Sequence, residues 1–199
     1  MREFTSQTLY FAQPGPENTG RTLARVAERA EALGIETVVV ATTSGKTGWQ
    51  AVQQLSGLNV VVVTHSVGFR EPYTSNLDPE MARKIKAGGG KLHTTTHAFG
   101  GVGRAVRKKL NTYQVDEIMA YTLRTFGQGM KVAAEITLMA SDGGLIPNGG
   151  PIIAVGGSGR GADTAVVLKP THAQTFFDLK FLEILCMPAP GHPVWEAEA

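Results

Sequence analysis

Short apolar runs alternate along the chain with stretches in which apolar residues recur every three or four positions. That alternation predicts an α/β fold of three layers, a mostly parallel sheet with helices on both faces. LYFAQP (9–14) reads as a first strand. In PENTGRTLARVAERAEALG (16–34), Leu23, Val26, Ala27, Ala30 and Leu33 form one helical stripe, with Asn18 or Thr19 at the N-cap and Gly34 as the stop. TVVVA (37–41) and NVVVVTH (59–65) flank a helix that runs to about Leu55. Such unbroken β-branched runs belong to strands buried on both sides. DPEMARKIKAGG places Asp78 and Pro79 at the cap and first turn of a helix and ends in glycines before the strand KLHTTT (91–96). A helix from near Val102 and two more, over 115–125 and 128–140, lead to the strand IIAVGG (152–157). After a glycine-rich loop come the strands TAVVLKP (164–170) and FLEILCMP (181–188). No repeat, linker or second domain interrupts the series, so residues 1–199 read as one domain. The end of the chain, from about 188, has proline breaks and no periodicity, and is expected to be loose unless a partner orders Trp195.

Composition narrows the possibilities. The chain has 199 residues, 42% of them hydrophobic and 18% charged, enough for one good core. A net charge of +2 is too small to imply nucleic acid, and the densest basic run, RAVRKK, reads as the solvated face of a helix. The single cysteine, Cys186, excludes an internal disulfide framework and sits in EILCMP like a small buried hydrophobe of a strand. MREFTSQTLYF lacks the apolar core of a signal peptide, and no stretch approaches the ~18 apolar residues needed to span a bilayer. A cytoplasmic protein without membrane or nucleic-acid partners is expected.

The candidate chemistry lies in the loops. TTSGKTG (42–48) joins a strand to a helix and invites comparison with a P-loop, but the opening glycine of that motif would fall on Val40. Its physics survives the mismatch. A strand stopping in a small-residue loop leaves free N–H groups at the positive end of the next helix, where anions bind. Gly45 permits positive φ, Thr43 or Ser44 can cap, and Lys46 adds a charge. The alternative is a capped turn with a solvated lysine. GGSGRGADT (156–164) carries four glycines around Arg160 and ends in Asp163 and Thr164; from Gly157 the glycines recur at +2 and +4, which is not the dinucleotide fingerprint. In an open parallel sheet these two loops share the carboxyl rim of the strands with 13–20, 64–69 and 96–101. Two glycine loops on one rim, each with a cation, point to an anion site.

These residues also carry a resemblance. VVVATTSGKTGWQAVQQLSGLNVVVVTHS resembles the carboxy-terminal α/β domain of pyruvate kinase, where a Thr-x-Ser-Gly-basic-Ser/Thr loop forms the effector phosphate pocket, and GSGRGADTAVVL resembles its second effector loop. Over most of its length the chain is similar to stand-alone pyruvate-kinase alpha/beta-domain-like proteins, which share the PENT, SGKT-like, RGADTAVV and ICMP-like segments. The resemblance implies the fold and phosphate contacts by Thr43, Ser44, Gly45, Lys46 and Thr47. It does not imply pyruvate kinase activity, because the catalytic barrel has no room in this chain. Lys46 stands where the effector loop usually has Arg, so charge is kept but the bidentate fork is lost. The resemblance further implies a homo-oligomer and a small phosphorylated ligand, flavin mononucleotide (FMN).

For such a ligand, the SGKT amides and Lys46 would take the phosphate, and the backbone of Gly156, Gly157, Ser158, Gly159, Arg160 and Gly161 would admit a ring edge. Asn18, His65, His97 and Phe99 offer polar edges and a stacking surface, or else a cap, strand ends and core. His93 and His97 share a face if their strand extends that far, but no third ligand lies near and no metal site is read. Glu135, in a helix apolar nearly all round, must find a partner or be protonated. Asp163 either braces the glycine loop or orients Arg160. No nucleophile or general base emerges, so catalytic residues stay unassigned. Three functions remain open: an FMN-binding protein, an oxidoreductase if the flavin turns over a substrate; a regulatory module for a sugar phosphate or nucleotide; and a structural subunit.

Overall fold

The computed structural model describes residues 2–195. Its elements follow in the order β1 (Leu9–Phe11), α1 (Thr19–Leu33), β2 (Thr37–Thr42), α2 (Lys46–Gln54), β3 (Asn59–Thr64), α3 (Pro79–Ala87), β4 (Lys91–Thr94), α4 (Val102–Leu110), α5 (Val115–Arg124), α6 (Gln128–Asp142), β5 (Ile152–Gly156), β6 (Thr164–Lys169) and β7 (Lys180–Pro188). Short 3-10 turns occupy Pro16–Asn18, Ala173–Asp178 and Pro193–Trp195.

The seven strands form one sheet in the order β1-β7-β6-β5-β2-β3-β4. β6 runs antiparallel to both of its neighbours, and the other strands all run one way. The sheet is therefore mostly parallel, with one reversed strand inside it. Alternation along the central strands feeds two cores. Val38, Val40, Val60, Val62, Ile153 and Val155 face α1, α2 and α3 through Leu23, Val26, Ala51, Val52 and Ile85. Val39, Val61, Val63, Ile152 and Ala154 face Met130, Ala133, Ile136 and Met139 of α6. On its far side α6 packs Ala134 and Leu138 against Ala120 of α5 and against Phe99. Cover on both sides explains why this helix is apolar nearly all round.

Several details depart from the sequence pattern. Leu33, placed in the α1 stripe, is 45% exposed at the end of the helix, where Gly34 turns the chain with φ 62°. Asn18 stands at the cap of α1 without capping it; its Nδ2 donates instead to Gln13 O at 2.8 Å. β4 stops at Thr94, two residues short of the expected strand. In the segment read as a loose tail, Ala189 N–H donates to Phe11 O at 2.9 Å and the Trp195 indole donates to Ala189 O at 2.8 Å. Residues 196–199 of that tail lie outside the described residues. Among the described residues, no helix is long and apolar enough to cross a membrane. Cys186 is fully buried, as expected of a small hydrophobe in β7; burial pushes its thiol up to about 11, and the thiol donates weakly to Thr22 Oγ1.

The amino end of α6 lies against the rim so closely that glycine is required there. A Cβ on Gly129 would overlap Thr164 Oγ1, and one on Gly156 would fall 2.5 Å from Gly129 O. Gly129→Val should therefore destabilise the protein by about 1–3 kcal/mol, the cost of overpacking a filled site. Urea denaturation giving a wild-type midpoint would show that α6 can slide away from β5 and β6.

Candidate functional site

The TTSGKTG loop is organised by a residue outside the predicted contact set. Thr42 is the last residue of β2, and its buried Oγ1 accepts from Gly45 N at 3.1 Å and Gly48 N at 3.4 Å. Gly45 turns the chain with φ 96°, and a Cβ there would also stand 2.5 Å from Met81 Cβ. Glycine is needed at this position on both counts. α2 then begins at Lys46, whose side chain is exposed. The amides of Lys46 and Thr47 find no acceptor among the described residues, so two N–H groups are left at the positive end of the helix. Ser44 is exposed and Thr43 half-buried, whereas Thr47 is buried beneath the loop. Neither Thr43 nor Ser44 supplies the cap.

The second loop connects β5 to β6 and is held from two sides. Buried Asp163 accepts from Ser158 N at 3.1 Å, from Ser158 Oγ at 3.3 Å and from Thr164 Oγ1 at 2.9 Å. Asp163 is thus the brace of the loop. Arg160 is exposed and has no carboxylate in ion-pair range among the described residues. From the other side, Thr19 Oγ1 accepts from Ala162 N at 3.0 Å and Thr22 Oγ1 donates to Ala162 O at 3.3 Å, which ties the loop to the start of α1. Gly161, with φ 72°, passes so close to Pro16 Cα that a side chain would collide. Gly157 lies against Gly161 O, while a Cβ on Gly159 would meet nothing within 4 Å. Because β5 and β2 are neighbours, with Val40 paired to Val155, the two glycine loops stand side by side on one rim.

His65 and His97 follow β3 and β4 on the same rim, where an aromatic cluster joins them. The Phe69 ring lies 4.2 Å from the His65 ring and 4.8 Å from the His97 ring, and Arg104 Cζ stands 4.9 Å from its centroid. Below His97 is Glu135, which accepts from Phe99 N at 3.2 Å and pairs with Lys131 Nζ at 2.5 Å and His97 Nδ1 at 3.5 Å. Burial raises the Glu135 pKa, but the hydrogen bond from His97 and the charge of Lys131 outweigh it and hold the carboxyl at about 2. Burial lowers the pKa of Lys131, with the Glu135 charge opposing. Glu135 is an anchored carboxylate and not a protonated acid. Burial likewise lowers the His65 pKa, against a hydrogen bond with Asn76. Phe99 is core, 6% exposed. His93 and His97 part company past the end of β4: His93 packs on Gly143 at the end of α6, two turns beyond Glu135. Among the described residues no three His, Cys, Asp or Glu side chains gather as metal ligands.

Lys131, Phe69, Arg104 and Thr42 were not picked out from the sequence. Lys131 was within reach, since it precedes Glu135 by one helical turn. The other three are set by tertiary contacts. A cleft of about 850 Å³ lined by Phe4, Leu33, Ile35, Ile146, Ile152 and Leu182, among others, opens at the opposite end of the sheet. It is remote from both glycine loops and from His65 and His97, and its walls are chiefly apolar.

A family model described as "Pyruvate kinase, alpha/beta domain" matches residues 21–168, a span that runs from the start of α1 through both glycine loops. The chain belongs to this family. Among solved structures it is similar to a pyruvate kinase from Cryptosporidium parvum, at 16% identity over 70% of this chain and 20% of that one, with a TM-score of 0.35. It is also similar to Cryptosporidium parvum pyruvate kinase in complex with ADP, at 17% identity over 84% of this chain and 23% of that one, with a TM-score of 0.36. This pyruvate kinase alpha/beta-domain protein thus spans less than a quarter of the length of those enzymes. Likeness of that degree carries none of their chemistry over to it.

Two outcomes test the site as built. Thr42→Val keeps the shape and removes the acceptor shared by two buried amides, so it should cost about 1–3 kcal/mol in urea denaturation; an unchanged midpoint would mean the loop is held by other contacts. Glu135→Gln leaves Lys131 buried without its counter-charge and should cost about 3–5 kcal/mol near neutrality. Glu135 has a folded pKa depressed from 4.5 to about 2, so its contribution is present above pH 4.5 and is lost as pH falls through about 2. The stability gap between wild type and variant should close across that window, and a gap that stays constant down to pH 2 would remove Glu135 from the role.

Proposed function

We propose that this protein binds a small phosphorylated ligand of the FMN type at the rim shared by the two glycine loops. The observation that carries the reading is the start of α2: two unpaired amides, Lys46 and Thr47, beside an exposed ammonium, on a turn that only glycine can make. An anion there meets the helix dipole and a full charge together. The residues fit the rest of such a ligand too. Gly159 leaves room above the second loop, and Arg160 stands on that loop unpaired by any described carboxylate. Asp163, Thr19 and Thr22 fix the backbone of the loop, so its shape does not depend on ligand.

A bound flavin supplies its own electron and hydride chemistry. What the chain contributes is placement. Lys46 and the Lys46 and Thr47 amides hold a phosphate, Asp163 keeps the glycine loop in position, and His65 and His97 stand behind Phe69 on the α6 side. No residue is assigned as a catalyst. An oxidoreductase activity and homo-oligomeric assembly belong to the proposal on the strength of the family resemblance.

Lys46→Ala should weaken binding of FMN and of inorganic phosphate alike, by about 1.5–3 kcal/mol, with little change in the melting temperature of the free protein. Isothermal titration calorimetry checks this, and equal affinity in the variant would reduce the loop to a capped turn. Purified protein that is colourless, ignores FMN and melts higher with fructose bisphosphate would replace the flavin reading with the regulatory one. The glycine loop is best tested through Arg160→Ala, because Gly159 has φ 147° and any side chain there would strain the backbone for reasons unrelated to ligand.

A further inference from the structure

We propose that Phe69 fills a slot built for the planar, nitrogen-bearing ring of a ligand, and that residues 66–77 form a flap that carries Phe69 out when such a ring enters. The inference rests on the reading of the rim as a ligand site, and it relocates the ring from the glycine loop to the α6 side.

The slot has three walls. The Phe69 ring is nearly parallel to the His97 imidazole, at 4.8 Å and 24°, tilts against His65 at 4.2 Å, and is covered by the Arg104 guanidinium at 4.9 Å. Imidazole and guanidinium planes are stacking surfaces suited to a polar heterocycle at least as well as to phenyl. The floor is anchored. His97 is only 11% exposed, and its Nδ1 faces Glu135, which is fixed in turn by Lys131 and the Phe99 amide. His97 Nε2 is buried and has no hydrogen-bond partner among the described residues. An unpaired buried nitrogen is costly, and phenyl cannot satisfy it. A larger heterocycle whose polar substituent reaches down into the imidazole plane can.

The cover, by contrast, is lightly held. No residue from 65 to 77 is buried, Tyr73 is 97% exposed with a left-handed φ of 59°, and Gly68 has φ 79°. The segment is tied at its ends, where His65 Nδ1 meets Asn76 Oδ1 at 3.4 Å and Asp78 N donates to Ser44 O at 3.2 Å. That second tie joins the flap to the phosphate loop. A flavin ring and a purine base share the chemistry described, and the test separates them.

The test uses full-length wild-type protein, Phe69→Ala and, as a conservative control, Phe69→Leu, each first checked by thermal melting. Riboflavin and adenosine, which lack phosphate, probe the slot; inorganic phosphate probes the SGKT loop. Phe69→Ala should bind one of the two ring probes roughly fivefold or more tighter than wild type, because the site no longer spends most of its time blocked. Riboflavin responding alone assigns a flavin ring, and adenosine responding alone a purine. Modification of His97 by diethyl pyrocarbonate should quicken roughly tenfold in Phe69→Ala and much less in Phe69→Leu. Ring affinities equal to or below wild type, or an unaltered His97 rate, overturn the slot. Phosphate binding retained alongside that result leaves the proposed function standing; ring binding without any phosphate binding sinks the phosphate reading and keeps the slot.

Discussion

Helix α6 is wedged between the sheet and α5, and it carries a carboxylate and an ammonium into that space. Neither charge is tolerable alone. Lys131 and Glu135 neutralise one another across a single turn, and the carboxylate also takes His97 and the Phe99 amide as partners, both from the segment after β4. The ion pair therefore fastens the loop of one edge strand to the central helix. With α6 so fixed, its glycine end can be pressed on β5 and β6, and the rim around Gly156 and Thr164 takes its shape from that contact. A buried pair of this kind adds little net stability over an apolar substitute, but removing one partner is expensive, so it defines one arrangement against the alternatives.

The strands and helices were legible because their signals are local. Runs such as TVVVA and NVVVVT admit no other use than doubly covered strands, and the caps and stops at Asp78, Pro79 and Gly34 are written in single residues. The direction of β6 was not legible. TAVVL is apolar whichever way it runs, and the reversal of β6 depends on the short connection from β5. The extent of β4 was overestimated for a similar reason: KLHTTT has the propensity to continue, but β3, its only neighbour, ends at Thr64 opposite Thr94.

The candidate site was read in outline. The two glycine loops and both histidines were recognisable from the sequence, and the structure brings the loops to neighbouring strands. What escaped the reading are residues whose role exists only across space. Thr42 looks like the last residue of a strand, Thr19 and Thr22 like helix-opening residues, and Phe69 like an ordinary loop aromatic. The two open questions about acids were settled by packing: Asp163 turns inward to the loop amide and not toward Arg160, and Glu135 meets its counter-charge one turn away.

The reversed strand makes the two glycine loops electrically unequal. The TTSGKTG turn opens a helix of nine residues and inherits the partial positive charge of that helix's amino end. The turn from Gly157 to Asp163 opens only a strand and so starts no helix of its own; its charges are the exposed Arg160 and the carboxylate that braces it from below. The hairpin is a sterically open turn carrying one charge of each sign, beside a turn that opens a helix, and this difference between the two loops follows from the strand order.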